Sequence, residues 1–191
     1  QHSGIDFRAL LRVAFKTVLL GQEGSGGGST ITQQLSKLLF VRPNLGGMSK
    51  MSRLKELIKV KLKEWVTAIK LEKSYTKEEI ITMYLNKFEF INGAHGIQAA
   101  SQTYFNKDQS QLETQEAAVL VGMLKNPSLY NPIRFPEKSI NRRNIVLNQM
   151  HRHHKIDDEA LDSLSSKVLD MSSFERAFHD IGPAPHFRAE L

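Results

Sequence analysis

The chain contains no cysteine, which excludes disulfides and thiolate metal sites and favours neither an oxidising nor a reducing compartment. No stretch approaches the roughly 20 consecutive apolar residues of a membrane-spanning helix. No segment alternates apolar and polar residues convincingly over the length of a strand. A signal peptide is missing too. The chain opens at Gln1-His2-Ser3 without a methionine, so a piece of a longer protein is expected, its targeting segment lying upstream.

What is present is ordinary for a globular protein: 40% hydrophobic and 24% charged residues in 191. That suits one domain with a usable core and argues against disorder of the whole chain. Lysine and arginine number 26 against 20 acids, a formal net charge of +6. A basic surface attracts nucleic acid, phosphorylated ligands or an anionic membrane, and charge alone does not choose among them. Aromatic residues are not interleaved with the basic ones and no recognition motif appears, so nucleic-acid binding has little to support it.

Helical periodicity dominates, and the spacing predicts a mainly α protein. A first helix is expected from Phe7 to Leu20, followed by a flexible glycine-rich loop over 23–28. Thr30 and Gln33 have the capping-box spacing and open a second helix that runs to Phe40. Residues 41–52, with Pro43, Gly46, Gly47, Met48 and Met51, read as a mobile loop. A long helix spans Ser52 to Glu72, with Ile58, Leu62, Trp65 and Ile69 as its expected buried stripe. Thr76 and Glu79 form a second capping box for a helix to Asn86. Asn92-Gly93 reads as a turn. Helices follow over 96–105, 114–125 and 139–153, with a short one over 157–165. From Ser166 onward the pattern weakens, and Gly182-Pro183-Ala184-Pro185 reads as a linker.

Three groups of residues could carry chemistry. The first is Gly28-Ser29-Thr30-Ile31-Thr32-Gln33-Gln34, with Lys37 one turn on. A helix start offers unpaired N–H groups and a positive dipole end, which suits a phosphate. It is not a P-loop, because the glycine–lysine–serine/threonine ending is absent. Spacing alone favours an ordinary capped helix. The second is Lys61 with Glu64, which share a helix face. It suits either a partly desolvated carboxylate meeting an anionic substrate or a surface ion pair, and in isolation the surface pair is favoured. The third is Tyr84-Leu85-Asn86, equally readable as a core tyrosine and a helix C-cap. His151, His153 and His154 lack a metal-ligand spacing and read as solvated.

Taken in order, these segments resemble the glycosyltransferase domain of class A penicillin-binding proteins, a lysozyme-like peptidoglycan glycosyltransferase family. His2-Ser3-Gly4-Ile5-Asp6 resembles the tail of the first family motif, and residues 28–34 match the second, its most diagnostic. Lys61 and Glu64 fall on the third, Tyr84-Leu85-Asn86 on the fourth, and Arg142, Val146 and Leu147 on the fifth. Three positions depart from the pattern. Val60 stands where the third motif has arginine, a charge that Lys59 or Lys63 would have to supply. Ile91 replaces a common glycine, and His95 a common tyrosine.

The resemblance implies a helical glycosyltransferase domain over 1–165, incomplete at its start, with a jaw-like loop region. Residues 166–191 would lead toward a transpeptidase domain. It implies Glu64 as a second catalytic carboxylate, either assisting at the pyrophosphate or holding a basic residue or metal there, and Ser29, Thr30, Gln34, Lys37, Lys61, Asn86 and Arg142 as substrate contacts. A general-base glutamate is expected upstream of His2. The substrate would be lipid II together with the growing glycan chain, at the outer face of the bacterial cytoplasmic membrane, with no nucleic-acid partner. No cofactor is required by the resemblance, and a divalent metal ion is left open. Two other readings stand beside it: a lysozyme or lytic transglycosylase that cuts glycan, and an inactive relative that only holds lipid II.

Overall fold

A computed structural model describes residues 29–40, 43–44 and 46–176. The expected helix over 7–20, the glycines of 23–28, the His2–Asp6 motif and the linker prolines lie outside the described residues. Those described form seven α-helices and one short 3-10 turn, with no strand. The mainly α expectation therefore holds. The chain divides into two compact units, residues 1–87 and 88–191.

In the first unit, α1 (Ile31–Leu39) packs against α2 (Lys50–Ser74) and α3 (Lys77–Lys87). The expected start of α2 moves back by two residues, because Ser49 caps it by accepting from the Ser52 N–H at 3.3 Å. The capping box expected for α3 is present: the Glu79 N–H donates to Thr76 Oγ1, and Glu79 Oε2 accepts from the Thr76 N–H at 2.7 Å.

The expected stripe of α2 is a correction. Ile58 and Leu62 are exposed, and Trp65 and Ile69 only half-buried. The buried positions are Glu64 and Ala68, the row one residue away, about 100° around the helix. Ala68 has no exposed surface, and so small a residue lets a neighbouring helix approach closely. The core here comprises Leu35, Ala68, Ile80 and Tyr84 among buried polar groups: Thr32, Gln33, Ser36 and Glu64. Thr32 Oγ1 donates to Glu72, which also pairs with Lys77, so one carboxylate ties α1, α2 and α3 together.

The second unit holds α4 (Ile97–Phe105), α5 (Thr114–Met123), α6 (Pro136–Arg152) and α7 (Asp158–Ser166). α6 begins at Pro136, three residues before the expected start, since the first helical position needs no N–H. The core is apolar: Phe90, Ala94, Tyr104, Val119, Leu120 and Met123 are among its buried members. The Asn92-Gly93 turn is present, closed by the Phe90 N–H donating to the Ala94 carbonyl at 2.9 Å. Beyond α7, Leu169, Met171 and Phe174 pack against this core. Arg143, 1% exposed, donates to the carbonyls of Ser165 and Lys167 at 2.7 and 2.8 Å.

Candidate functional site

The site grows from the start of α1. Thr30 has extended backbone, so its side chain turns back and caps the helix. The Gln33 N–H donates to Thr30 Oγ1 and Gln33 Oε1 accepts from the Thr30 N–H, both at 3.2 Å. This reciprocal pair fixes the first turn and places Ser29 just ahead of the positive end of the helix dipole.

On α2, three residues place Lys61 and Glu64 on one face. Lys61 Nζ donates to Glu64 Oε2 at 2.5 Å and to Ser29 Oγ at 3.4 Å. The Glu64 side chain is 6% exposed and that of Lys61 42%. A buried carboxylate is costly unless its charge is met, and here the lysine meets it while keeping a solvent-facing side. Among the alternatives open at the level of spacing, a wholly exposed surface pair is excluded by this burial.

Around the pair lies a groove of about 250 Å³, lined by Ser29, Gln33, Gln34, Lys37 and Lys61 with Glu64. A second space of about 270 Å³ shares Lys37, Pro43, Val60 and Glu64 with it and adds Phe40, Glu56 and Lys63. Lys63 therefore lines this second space beside Val60. Lys59 is exposed and pairs with Glu56 at 3.3 Å. Of the two lysines considered for the motif-three charge, Lys63 is the one that lines either space.

Gln33 is 1% exposed, and its Nε2 has no hydrogen-bond partner among the described residues. An unmet buried donor costs about 1–3 kcal/mol. With the helix start, two amides and the lysines Lys37 and Lys61, the groove is suited to hold an anion. Sequence reasoning missed Gln33 as a groove residue because its capping role already accounted for it. Glu72 was missed as well, since nothing in its spacing points to Thr32.

Tyr84 on α3 is 4% exposed, and its hydroxyl donates to Gln34 Oε1 at 3.1 Å. It is thus a core tyrosine with a satisfied hydroxyl, as one of its two readings held. Burial pushes the pKa of this hydroxyl up. Asn86 is exposed within the last turn of α3 rather than capping it, and does not line the groove. Arg142 belongs to the second unit. Its guanidinium lies over the Tyr130 ring, 5.7 Å from the centroid, and its Nε is buried without a partner among the described residues. Ser29, Gln34, Lys37, Lys61 and Glu64 are therefore gathered at one groove, with Thr30 buried behind them as the cap.

The histidines need one correction. His153 and His154 are exposed, but His151 Nε2 lies 2.9 Å from Asp158 Oδ1. The chain reverses after α6, with φ 55° at His154, and returns α7 to its side. Among the described residues, no group of three or more histidines and acids is close enough to hold a metal ion, and no helix is long and apolar enough to cross a membrane.

Comparison with known proteins agrees with the groove's motifs. The sequence model of a family described as Transglycosylase matches residues 1–151. Penicillin-binding protein 1F of Bacillus subtilis is 40% identical over 151 residues, 79% of this chain and 20% of its own length. Penicillin-binding protein 1A of Aquifex aeolicus is 39% identical over 169 residues, 88% of this chain and 22% of its own length. Penicillin-binding protein 1A of Escherichia coli is 35% identical over 169 residues, 88% and 18% respectively. The chain thus spans about a fifth of the length of these relatives.

Proposed function

The chain belongs to the transglycosylase family that matches it over residues 1–151, and from that premise we propose that it polymerises lipid II into peptidoglycan glycan strands. The observation that carries the reading is the buried Glu64, held by Lys61 in a groove rich in donors at the start of α1.

The growing chain, on its lipid pyrophosphate, is the donor, and an incoming lipid II is the acceptor. The glutamate expected upstream of His2 takes the proton from the acceptor's sugar 4-hydroxyl. That oxygen attacks the donor's anomeric carbon, the bond to the pyrophosphate breaks, and the configuration inverts. The negative charge that develops on the leaving group falls to the start of α1, Lys37 and Lys61. Glu64, at 2.5 Å from Lys61, keeps that ammonium in place as the pyrophosphate departs.

In this reading residues 1–165 are the glycosyltransferase domain, and 166–191 lead toward a transpeptidase domain. The reaction runs at the outer face of the cytoplasmic membrane, where residues 41–52 help to admit lipid. The exposure of Met48 and Met51 supports that placement.

The test is polymerisation of lipid II by the full-length protein in lipid vesicles, beside its Glu64→Gln variant. Long glycan is expected from the parent, and a rate lower by about 100-fold or more from a folded variant. A folded, vesicle-bound parent that makes no glycan overturns the reading and leaves a lipid-binding relative. Sugar released from purified cell wall instead would revive the lytic alternative.

A further inference from the structure

We propose that Tyr84 is a positioning residue that, together with the Ser29 carbonyl, fixes the Gln34 carboxamide so that an N–H meets the anionic part of the substrate. This rests on the reading that the groove receives a pyrophosphate.

A carboxamide presents an acceptor on one side and two donors on the other, and the two faces differ little in shape. At an anion site the difference is decisive, because an amide N–H attracts a phosphate oxygen and a carbonyl oxygen repels it. Gln34 lines the groove, so something must prevent its amide from flipping.

Two contacts supply the restraint. The Gln34 nitrogen faces the carbonyl of Ser29 at 3.4 Å. A carbonyl only accepts, so the nitrogen belongs on that side and Oε1 on the other. Oε1 meets the Tyr84 hydroxyl at 3.1 Å, which must therefore donate. The contact to Ser29 is long and a weak restraint by itself; the Ser29 carbonyl decides which end of the amide faces it, and the tyrosine hydroxyl, able to donate or accept, holds the amide in that place. Tyr84 is 4% exposed on α3, packed where water cannot take its place. The same burial raises its pKa, so the proton it donates stays on the hydroxyl through neutral and mildly alkaline pH. With Oε1 engaged and one N–H directed at Ser29, the second N–H of Gln34 is the one offered to the groove. It joins the ammonium of Lys61 as a donor to a pyrophosphate.

A purely packing role for Tyr84 would leave ligand affinity alone once the fold is kept. The positioning role predicts that the loss passes through Gln34. Isothermal titration calorimetry measures binding of inorganic pyrophosphate to the full-length protein. Tyr84→Phe is expected to weaken that binding about tenfold, the scale of one hydrogen bond to a charged group. kcat/KM for lipid II should fall in step. In a Gln34→Leu background, Tyr84→Phe should change nothing further.

Unchanged pyrophosphate affinity in a folded Tyr84→Phe variant, or losses that add in the double variant, overturns the role and leaves the glycan-polymerising reading intact. A parent that neither binds pyrophosphate nor makes glycan overturns both. Should Tyr84→Phe fail to fold, Gln34→Glu carries the test. It keeps an acceptor for the tyrosine but replaces the offered N–H with an anionic oxygen. It must then weaken pyrophosphate binding by at least as much, and unchanged binding sinks the proposal.

Discussion

Ile91 has φ 57°, followed by Asn92 at 53° and Gly93 at 81°. Asparagine and glycine accept the left-handed region readily, whereas a β-branched residue there costs about 1–2 kcal/mol. The glycine that the family resemblance implies at position 91 would carry no such cost. Ile91 is half-buried against the core of its unit, so the strain is offset in part by apolar contact. Ile91→Gly should therefore leave stability within about 1 kcal/mol of the parent. For contrast, Ile80→Ala, in a helix and 2% exposed, should cost about 2–5 kcal/mol. Urea denaturation of the two variants checks the difference. The turn itself was legible from Asn92-Gly93, but that it reaches back to Ile91 was not, because isoleucine carries no turn signal. At Glu64 the spacing from Lys61 was legible and the burial was not, since the exposed Leu62 and the buried Glu64 reverse what hydrophobicity predicts.

Helices were the most readable elements, because capping boxes and 3.6-residue periodicity are local. Thr30 with Gln33 and Thr76 with Glu79 placed the starts of α1 and α3 to within a residue. Which side of α2 faces inward was not local information: the phase is chosen by the helices packed on it, and Ala68 suits their approach better than Leu62. α6 carries a further consequence. Its Arg143 grips the carbonyls of Ser165 and Lys167, and the segment after α7 adds Leu169, Met171 and Phe174 to the core. A chain ended after Ser166 should be less stable than one ended after Arg176 by roughly 3 kcal/mol, from three half-buried side chains and a lost acceptor. Thermal or urea unfolding of the two lengths measures this. Equal stability would mean that the segment contributes nothing to the fold.

At the scale of the molecule, the two compact units differ in what they bury. The first surrounds its groove with polar groups, while the second is closed around an apolar cluster that includes Tyr104. Tyr104 donates to the Phe90 carbonyl at 2.8 Å, and burial pushes its pKa up to about 12. Unfolded, it releases its proton near pH 10, so between pH 10 and 12 the unfolded state binds fewer protons than the folded one. The stability this group contributes is complete below pH 10 and is lost as pH rises through that window, by about 1.4 kcal/mol per pH unit. A Tyr104→Phe variant should lack this part of the alkaline decline, as melting temperatures from pH 8 to 12 would reveal. The amino-acid sequence by itself determined the helical class, the caps, the turns and the order of the motifs, because each depends on residues within a turn or two of one another. Only the tertiary structure decided that Ser29, Gln34, Lys37, Lys61 and Glu64 share one groove, that Tyr84 reaches Gln34, and that Arg143 holds the end of α7. Those pairings join residues tens of positions apart, and packing brings them together where spacing along the chain could not.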